Sequence, residues 1–375
     1  MTALDARAIL DRRLAGLGLS DPRFDSPEAV VGWLGAVQAQ DFGPAKWSIA
    51  QRMDRRVTDR DLDAAFDAGR ILRTHALRPT WHFLRPEDIR WILELTGPRI
   101  QALSAYMYRM TGLTEELRAR SNEIIADALV GGRALTRSAL RKRLAGEGFD
   151  TDGFRMGYLM MHAEVTGLIC SGPLDGRTHT YALLDERAPQ AVRLSRDDAL
   201  AEFVRRYFTS HGPASAKDFR GWCSLSAADT TRGLELAGTA LEHEDWQGTT
   251  MWAGAGARER AASGIQVDPS PTVRLMQGYD ESFMGYSDTR GVVDADGTAG
   301  RTVADRGIYV GVVTLDGRFA GHWKRTIERG RVVIDVQLRR PFDEAARAAL
   351  HAEADRHGQF LGLVADVTVS DLIIC

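Results

Sequence analysis

The sequence predicts a mainly α-helical protein with β wings, organised as three tandem winged-helix units and a C-terminal α+β module. Three observations lead to this fold class. The chain has 375 residues, more than one core of ordinary size holds, which suggests about two to four modules. Segments with helical spacing followed by short runs of strand formers recur three times in one order. From about residue 264 the pattern changes to alternating runs joined by tight turns.

The first unit is predicted to span residues 1–86. Its first helix places Val30, Val31 and Leu34 on one face behind Ser26, whose side chain is a suitable N-cap. Three helices followed by a short hairpin are the elements of a winged helix. The predicted segments are helices at 27–37, 46–53 and 58–69 and strand formers at 73–83.

The same order predicts a second unit at 87–190 and a third at 191–262, and the change of pattern predicts a smaller module at 263–375. In the second unit we expect a connecting helix at 86–95, helices at 122–129, 136–144 and 154–166, and strands at 168–170 and 178–183. In the third we expect helices at 200–208, 217–222 and 229–236, then strands from 241 and 250. The last module should contain strands at 272–276, 308–315, 318–324 and 331–338 and one final helix at 343–361.

Composition narrows the possible functions. With 44% hydrophobic and 26% charged residues the chain is an ordinary globular protein, which excludes disordered and collagen-like classes. No apolar run is long enough to cross a bilayer, and the charged N-terminus does not match a signal peptide, so we expect a cytoplasmic protein. Cys170, Cys223 and Cys375 are far apart, so neither disulfides nor a metal site are expected, and no motif indicates a cofactor. A net charge of −3 allows nucleic-acid binding only if the charge is unevenly distributed.

The segment Gln38-Ala39-Gln40 is the first candidate for chemistry. It is predicted to lie where the first helix gives way to a loop, so two amide side chains could point into one cleft. The alternative is that both glutamines cap the helix end or face solvent. Asp280 and Glu281 form an adjacent acidic pair whose side chains would diverge on a strand, which does not support paired-carboxylate catalysis.

Cationic and polar residues on the wings and second helices are the candidates for DNA contact. Arginine and histidine on a wing suit phosphate or groove contacts, whereas the alternative is a set of ordinary strand histidines and solvated basic faces. His179 also fits a simple surface or core position. The candidates are Arg73, His75, Arg78, Thr80, Arg137, Arg141, Lys142, Arg177, His179, Lys324 and Arg325.

Several separated motifs, in order, resemble one family. They are QAQ (38–40), LRPTWHFL (77–84), RRYFTSHGPASAKDFRGWCSLS (205–226), LMQGYDESFMGYSDTR (275–290) and LDGRFAGHWKR (315–325). Together they resemble the tandem winged-helix DNA glycosylase family, in its AlkZ-type branch of azinomycin-resistance glycosylases, from about residue 5 to 365.

The resemblance implies a C-shaped stack of winged helices around a channel for double-stranded DNA, excision of bulky N7- or N3-alkylated purines and unhooking of interstrand crosslinks as self-resistance. By the same resemblance Gln38 and Gln40 are the catalytic pair, because the AlkZ branch carries Q-x-Q where the broader bacterial branch carries Q-x-D. The role of the adjacent Asp41 stays open. We expect a monofunctional, monomeric enzyme of base excision repair that associates with the nucleoid when bound to DNA.

A glutamine pair limits the possible mechanism. An amide cannot act as a strong general base, but it can orient a water and present a carbonyl oxygen to developing positive charge. Such a site requires a leaving group that departs without a general acid, and a cationic alkylpurine meets that requirement. Two other functions stay open at this point: a winged-helix DNA-binding regulator without chemistry, and a hydrolase acting on a toxin, for which no nucleophile or metal set is recognisable.

Overall fold

The computed structural model describes residues 4–262, 270–294 and 311–371, and within them helices predominate over small sheets. The helices are α1 (Ala6–Gly16), α2 (Pro27–Leu34), α3 (Phe42–Ala50), α4 (Asp59–Asp67), α5 (Ile89–Met110), α6 (Glu115–Leu129), α7 (Arg137–Gly146), α8 (Arg155–Val165), α9 (Leu184–Arg187), α10 (Arg196–His211), α11 (Ala216–Cys223), α12 (Ala227–Ala237), α13 (Ala257–Ala262), α14 (Glu281–Met284) and α15 (Glu344–Leu361). The strands are β1 (Val37–Gln38), β2 (Leu72–Ala76), β3 (Thr80–Leu84), β4 (Leu135–Thr136), β5 (Ile169–Ser171), β6 (Thr180–Leu183), β7 (Ala214–Ser215), β8 (Leu241–Trp246), β9 (Thr249–Gly254), β10 (Val273–Met276), β11 (Gly311–Leu315), β12 (Arg318–Glu328), β13 (Arg331–Leu338) and β14 (Val364–Asp371).

Side-chain caps fix where many of the helices begin. Thr58 and Ser215 each form a reciprocal capping box with the aspartate three residues later, at the starts of α4 and α11. Ser26 and Ser226 cap α2 and α12 in the same way but with a single bond. These side chains satisfy first-turn N–H groups that have no partner within the helix, so the helix starts predicted at Ser26, Thr58, Ser215 and Ser226 are confirmed.

Three of the sheets share one connectivity. In each, a two-residue strand precedes two helices and two longer strands, and the short strand pairs antiparallel with the later of those two. The strand orders are β1-β3-β2, β4-β6-β5 and β7-β9-β8. We refer to residues 37–84, 135–183 and 214–254 as the first, second and third repeats.

The C-terminal sheet has the order β10-β11-β12-β13-β14. Its pairs are antiparallel except that β14 runs parallel to β13, and α15 supplies the crossover that a parallel pair requires. The prediction that the helix at 343–361 is the final element was therefore wrong, because strand β14 follows it. The boundary predicted at 262/263, the first three residues of the strand predicted at 308–315 and Cys375 lie outside the described residues.

Helices α2 and α5 end at residues other than the predicted ones. Helix α2 ends at Leu34 rather than residue 37, because Gly35 adopts φ +81 and turns the chain into β1. Helix α5 continues past Pro98 to Met110. Gly97 allows it to pack closely on the second repeat, since a Cβ there would lie 2.5 Å from the carbonyl oxygen of Val165. None of the helices in the described segments is both long and apolar enough to cross a membrane.

The hydrophobic core is shared unequally among the repeats. One large cluster joins the first repeat, the third repeat and part of the C-terminal module, with Trp47, Phe203, Trp222, Phe283 and Phe360 among its members. The second repeat has a separate cluster of its own. The first and third repeats therefore pack directly on each other although they are far apart in sequence.

Candidate active site

Gln38 lies on the two-residue strand β1, which was not predicted, and Ala39 and Gln40 lie in the predicted loop before α3. After Gly35 the chain extends into β1, where Val37 pairs with Phe83 and Gln38 pairs with His82 of β3. The Gln38 side chain contacts Arg78 from the turn between β2 and β3, and the Gln40 side chain contacts the backbone of Trp81 on β3. Both glutamines are therefore held against the same hairpin, by different partners.

Gln38 is buried, with 1% of its surface exposed, and three contacts hold it. Its N–H donates to Oε1 of Glu281 at 3.1 Å, and its carbonyl oxygen accepts from Nε2 of Gln277 at 3.3 Å. Its side-chain Oε1 accepts from Nη2 of Arg78 at 2.5 Å. Because a guanidinium group can only donate, this contact establishes which end of the Gln38 amide is the oxygen.

Glu281 joins distant parts of the chain at this point. Its side chain is fully buried, and Oε2 accepts from the indole Nε1 of Trp222 at 2.7 Å and lies 3.4 Å from Nε2 of His211. Arg78 also donates to the carbonyl oxygen of Gly221 at 3.3 Å. Gln38 is thus fixed where the first repeat, the third repeat and the C-terminal module meet.

The neighbouring Asp280 has a different partner. The acidic pair was predicted on a strand, which is wrong: Asp280 caps the short helix α14 and Glu281 is its first residue. Asp280 forms a buried ion pair with Arg52 at 2.9 Å and accepts from Ser48 at 2.5 Å. Burial would raise the pKa of Asp280, but Arg52 and the hydrogen bonds lower it overall, so the carboxylate stays ionised. The two carboxyl groups diverge, because Asp280 faces Arg52 and Ser48 whereas Glu281 faces Gln38 and Trp222.

Gln40 and Asp41 lie at the open end of the same segment. Oε1 of Gln40 accepts from the N–H of Trp81 at 3.2 Å, and its carbonyl oxygen accepts from Nη2 of Arg73 at 3.3 Å. Asp41 is exposed at the start of α3. Desolvation by the surrounding protein raises the pKa of Asp41, while Arg325 and Arg73 act in the opposite direction.

His82 lies directly across from Gln38 in the sheet. Its Nδ1 is 3.0 Å from the carbonyl oxygen of Thr80, which can only accept, so Nδ1 carries the proton. Burial, and then the charge of Arg78, hold the pKa of His82 well below its usual value, so the ring is neutral. Its Nε2 has no hydrogen-bond partner among the described residues. A buried lone pair therefore remains beside the Gln38–Arg78 contact.

The predicted DNA-contacting residues fall into two groups. In the first, side chains are engaged within the protein: Arg73 and Arg78 hold the Q-x-Q segment, and His75 lies 2.6 Å from Glu164. Thr80 is half-buried on β3, His179 packs edge-on against Phe42, and Arg325 contacts His357 at 3.1 Å. Burial and the charge of Arg73 lower the pKa of His179 to about 4, so this neutral ring cannot neutralise a phosphate.

The second group is exposed on other parts of the surface. Its members are Arg137, Arg141, Lys142, Arg177 and Lys324. Arg141 pairs with Asp152 at 2.6 Å and Lys324 lies 3.6 Å from Asp335. Exposed pairs of this kind are weak and exchange readily with other anions.

Sequence reasoning missed Glu281, Trp222 and His82 as parts of this site. Glu281 had one available signal, since it is an ionisable residue within an aromatic and apolar stretch, and such a residue requires a buried partner. The pairing of segments more than 180 residues apart has no counterpart in local sequence. For that reason the partners of Gln38 could be found only in the structure.

The chemistry available at the site comes from amides and fixed charges. Within residues 4–262, 270–294 and 311–371, no three His, Cys, Asp or Glu side chains group as a metal site, and Cys170 and Cys223 are buried free thiols. Two oriented amides can position a water molecule and present oxygen atoms to a positive charge. They cannot supply a proton to a leaving group.

Two comparisons with known proteins bear on this arrangement. The family model described as DNA glycosylase AlkZ-like matches residues 31–360. The fold is similar to that of the Streptomyces sahachiroi DNA glycosylase AlkZ, with a TM-score of 0.81 and 24% sequence identity, over 99% of this chain and 100% of that one. No curated protein sequence matches the chain significantly.

Proposed function

The chain belongs to the AlkZ-like DNA glycosylase family, and we propose that it hydrolyses the N-glycosidic bond of cationic N7- or N3-alkylated purines in double-stranded DNA. The observation that carries this proposal is the buried fixation of Gln38 by Arg78 and Glu281. Charged groups hold both the backbone and the side chain of Gln38, so the amide has a fixed orientation. A fixed orientation is what the proposed catalytic role of this amide requires. The proposed catalytic residues are Gln38 and Gln40.

The chemistry of the two glutamines limits the substrate, because an amide cannot protonate a leaving group. An alkylated purine already carries positive charge, and it leaves as a neutral base without being protonated. The sugar passes through an oxocarbenium-like state, which amide oxygens and the DNA phosphates can stabilise by fixed electrostatics. Gln40, at the open end of β1, is the better placed of the two to orient the attacking water, and Gln38 is the more rigidly held.

DNA binding is assigned to the exposed cations of the second group. We propose that the three repeats are winged helices within units at 1–86, 87–190 and 191–262, and that they surround the duplex together with the module at 263–375. Arg137, Lys142, Arg177 and Lys324 are exposed and suited to phosphate contact. Arg73 and Arg78 instead hold the proposed catalytic segment, and the side chain of His75 contacts Glu164. We propose a monomeric enzyme that also acts on bulky adducts and crosslinks.

Incubation with a defined lesion tests the proposal. Duplex DNA carrying one 7-methylguanine is treated with the purified protein and then with alkali, which cleaves the strand at an abasic site. We expect cleavage at the lesion and none in an undamaged duplex of the same sequence. An intact lesion-bearing strand after a long incubation with excess protein would refute the proposed reaction.

A further inference from the structure

The side-chain amide of Gln40 has a defined direction, because its oxygen is already bonded. Oε1 accepts from the N–H of Trp81 at 3.2 Å. The opposite orientation would set the amino group, which can only donate, against that N–H. The amino group Nε2 therefore points away from the Trp81 backbone, and it has no hydrogen-bond partner among the residues that the structure describes.

Backbone contacts keep Gln40 in this position. The N–H of Ala39 donates to the carbonyl oxygen of Trp81 at 2.8 Å, and Arg73 donates to the carbonyl oxygens of Ala39 and Gln40 at 2.9 and 3.3 Å. The guanidinium carbon of Arg73 also lies 4.4 Å from the centre of the Trp81 indole ring. The amide of Gln40 thus extends from a fixed backbone, so its amino group is oriented before any substrate binds.

The same orientation holds at Gln38, but there the amino group is less accessible. Arg78 donates to Oε1 of Gln38 at 2.5 Å, so Nε2 is again the end of the amide without a bond in the described part of the chain. Gln38 is 1% exposed, whereas Gln40 is half-buried. Gln40 is therefore the glutamine whose amino group can reach a bound nucleotide.

A free amino group beside a glycosidic bond requires an acceptor in the substrate. The sugar oxygen O4′ is unsuitable, because it shares a lone pair with C1′ as the bond breaks, and a hydrogen-bond donor would oppose this. The purine atom N3 is suitable, since it lies on the minor-groove edge beside the glycosidic nitrogen and gains electron density as the base leaves. A hydrogen bond to N3 is therefore stronger in the transition state than in the ground state, which is the condition for catalysis.

We propose that Nε2 of Gln40 donates a hydrogen bond to N3 of the departing purine. The C1′–N9 bond breaks, its electron pair passes to N9, and the cationic base leaves as a neutral molecule. A water molecule adds to C1′ and releases its proton to solvent, while Gln40 transfers no proton. The second N–H of the same amino group stays available to hold that water.

The inference rests on the proposed glycosylase reaction and adds a contact with the leaving group to it. A purine alkylated at N3 cannot accept this bond, so its release depends on the remaining contacts.

The test removes the acceptor from the lesion and the donor from the enzyme. One duplex sequence carries either 7-methylguanine or its 3-deaza analogue, in which C–H replaces N3. Single-turnover rates at saturating protein are measured for the wild type, Gln40→Glu and Gln40→Met. Glutamate keeps an oxygen for the Trp81 N–H and replaces the amino group by a second oxygen, whereas methionine removes both groups and keeps an unbranched side chain.

The rate on 7-methylguanine divided by the rate on the analogue is compared between proteins, which cancels the difference in intrinsic lability of the two lesions. Circular dichroism checks folding. Gln359→Glu is the matched control, because Gln359 is an exposed glutamine on α15 whose Oε1 likewise accepts a bond, from Nη1 of Arg56 at 2.7 Å.

We expect this rate ratio to be about 3- to 10-fold higher in the wild type than in both Gln40 variants, the effect of one hydrogen bond. The control should keep the wild-type ratio. Equal ratios in the wild type and both variants would overturn the proposal while leaving glycosylase activity established. Faster reaction of Gln40→Glu on both lesions would show that the outward atom faces the sugar cation, and would also overturn it. Failure of the wild type to release 7-methylguanine would instead refute the proposed function itself.

Discussion

Arg78 and Gln38 form a charge-assisted hydrogen bond of 2.5 Å from Nη2 to Oε1. Arg78 extends from the turn between β2 and β3, where the buried residue Leu77 adopts φ +61. A non-glycine residue in this region costs about 1–2 kcal/mol, and it persists only where the surrounding structure enforces it. The strained turn places the Arg78 guanidinium against the side-chain amide of Gln38.

Replacement of Arg78 should therefore affect the chemical step. Arg78→Met removes the donor but keeps an unbranched stem, and we expect kcat to fall about 10- to 100-fold, which corresponds to one charge-assisted hydrogen bond. KM should change little if Arg78 positions Gln38 rather than binding DNA. Arg78→Lys should recover part of kcat. Steady-state kinetics on a 7-methylguanine duplex separate these effects, and an increase in KM alone would identify Arg78 as a DNA contact.

Replacement of Gln38 or Gln40 should lower base release more than replacement of a glutamine elsewhere in the chain. Gln38→Ala and Gln40→Ala should each lower base release by about 10- to 1000-fold, on the order of 1.4–4 kcal/mol, with nearly unchanged DNA affinity. Single-turnover assays at saturating protein measure the first quantity and equilibrium binding the second. Gln359→Ala, at an exposed position on α15, is the control and should behave as the wild type. Wild-type rates in both active-site variants would disprove their catalytic role.

Substrate charge provides an independent prediction. A reaction carried by Gln38 and Gln40 should release 7-methylguanine and 3-methyladenine but not uracil, 8-oxoguanine or undamaged bases, because amides cannot protonate a neutral leaving base. A panel of duplexes with one lesion each, assayed under identical conditions, measures this selectivity. Efficient release of uracil would reveal an acid–base group beyond the two glutamines.

The salt dependence of DNA affinity measures how many phosphates the exposed cations contact. Five or six phosphate contacts give a slope of log affinity against log salt near −5, since each contributes about 0.9. Lys142→Ala combined with Arg177→Ala should flatten that slope by about 2. Arg331→Ala combined with Arg232→Ala is a matched control, because these exposed arginines are paired with Glu328 and Asp197. Affinity that does not vary between about 50 and 200 mM salt would argue against a basic DNA-binding face.

The buried histidine of the C-terminal helix should make the protein sensitive to acid. Burial, and then the charge of Arg325, lower the pKa of His357 to about 3, whereas an unfolded histidine titrates near 6.5. Between these values only the unfolded state binds the proton, so stability falls as pH falls, by up to about 1.4 kcal/mol per pH unit. His357→Phe should reduce the loss of urea-midpoint stability between pH 7.5 and pH 5. An identical loss in wild type and variant would exclude His357 as the cause.

The sequence predicted secondary-structure elements correctly where contacts within one helical turn determine where they begin. Thr58, Ser215 and Ser226 fix helix starts through bonds within one turn, so their positions could be derived from sequence. Gly35 has an equally local effect, but its positive-φ turn was not distinguished from a continuing helix, and the short strand at Val37 and Gln38 was therefore not predicted.

The catalytic surroundings depend on contacts between distant segments. Gln38 and Glu281 are 243 positions apart, and no periodicity relates them. Gln38 and Glu281 could each be singled out in the sequence. Their contact depends on how the first repeat, the third repeat and the C-terminal module pack in a shared core.

The meeting of three chain segments at Gln38 has a consequence for biosynthesis. The ribosome makes Gln38 early, but Trp222 and Glu281, which complete its surroundings, are made much later. A nascent or truncated chain that ends before residue 281 lacks the carboxylate that holds the Gln38 backbone. Any activity that requires the fixed amide should therefore appear only after synthesis has passed residue 281.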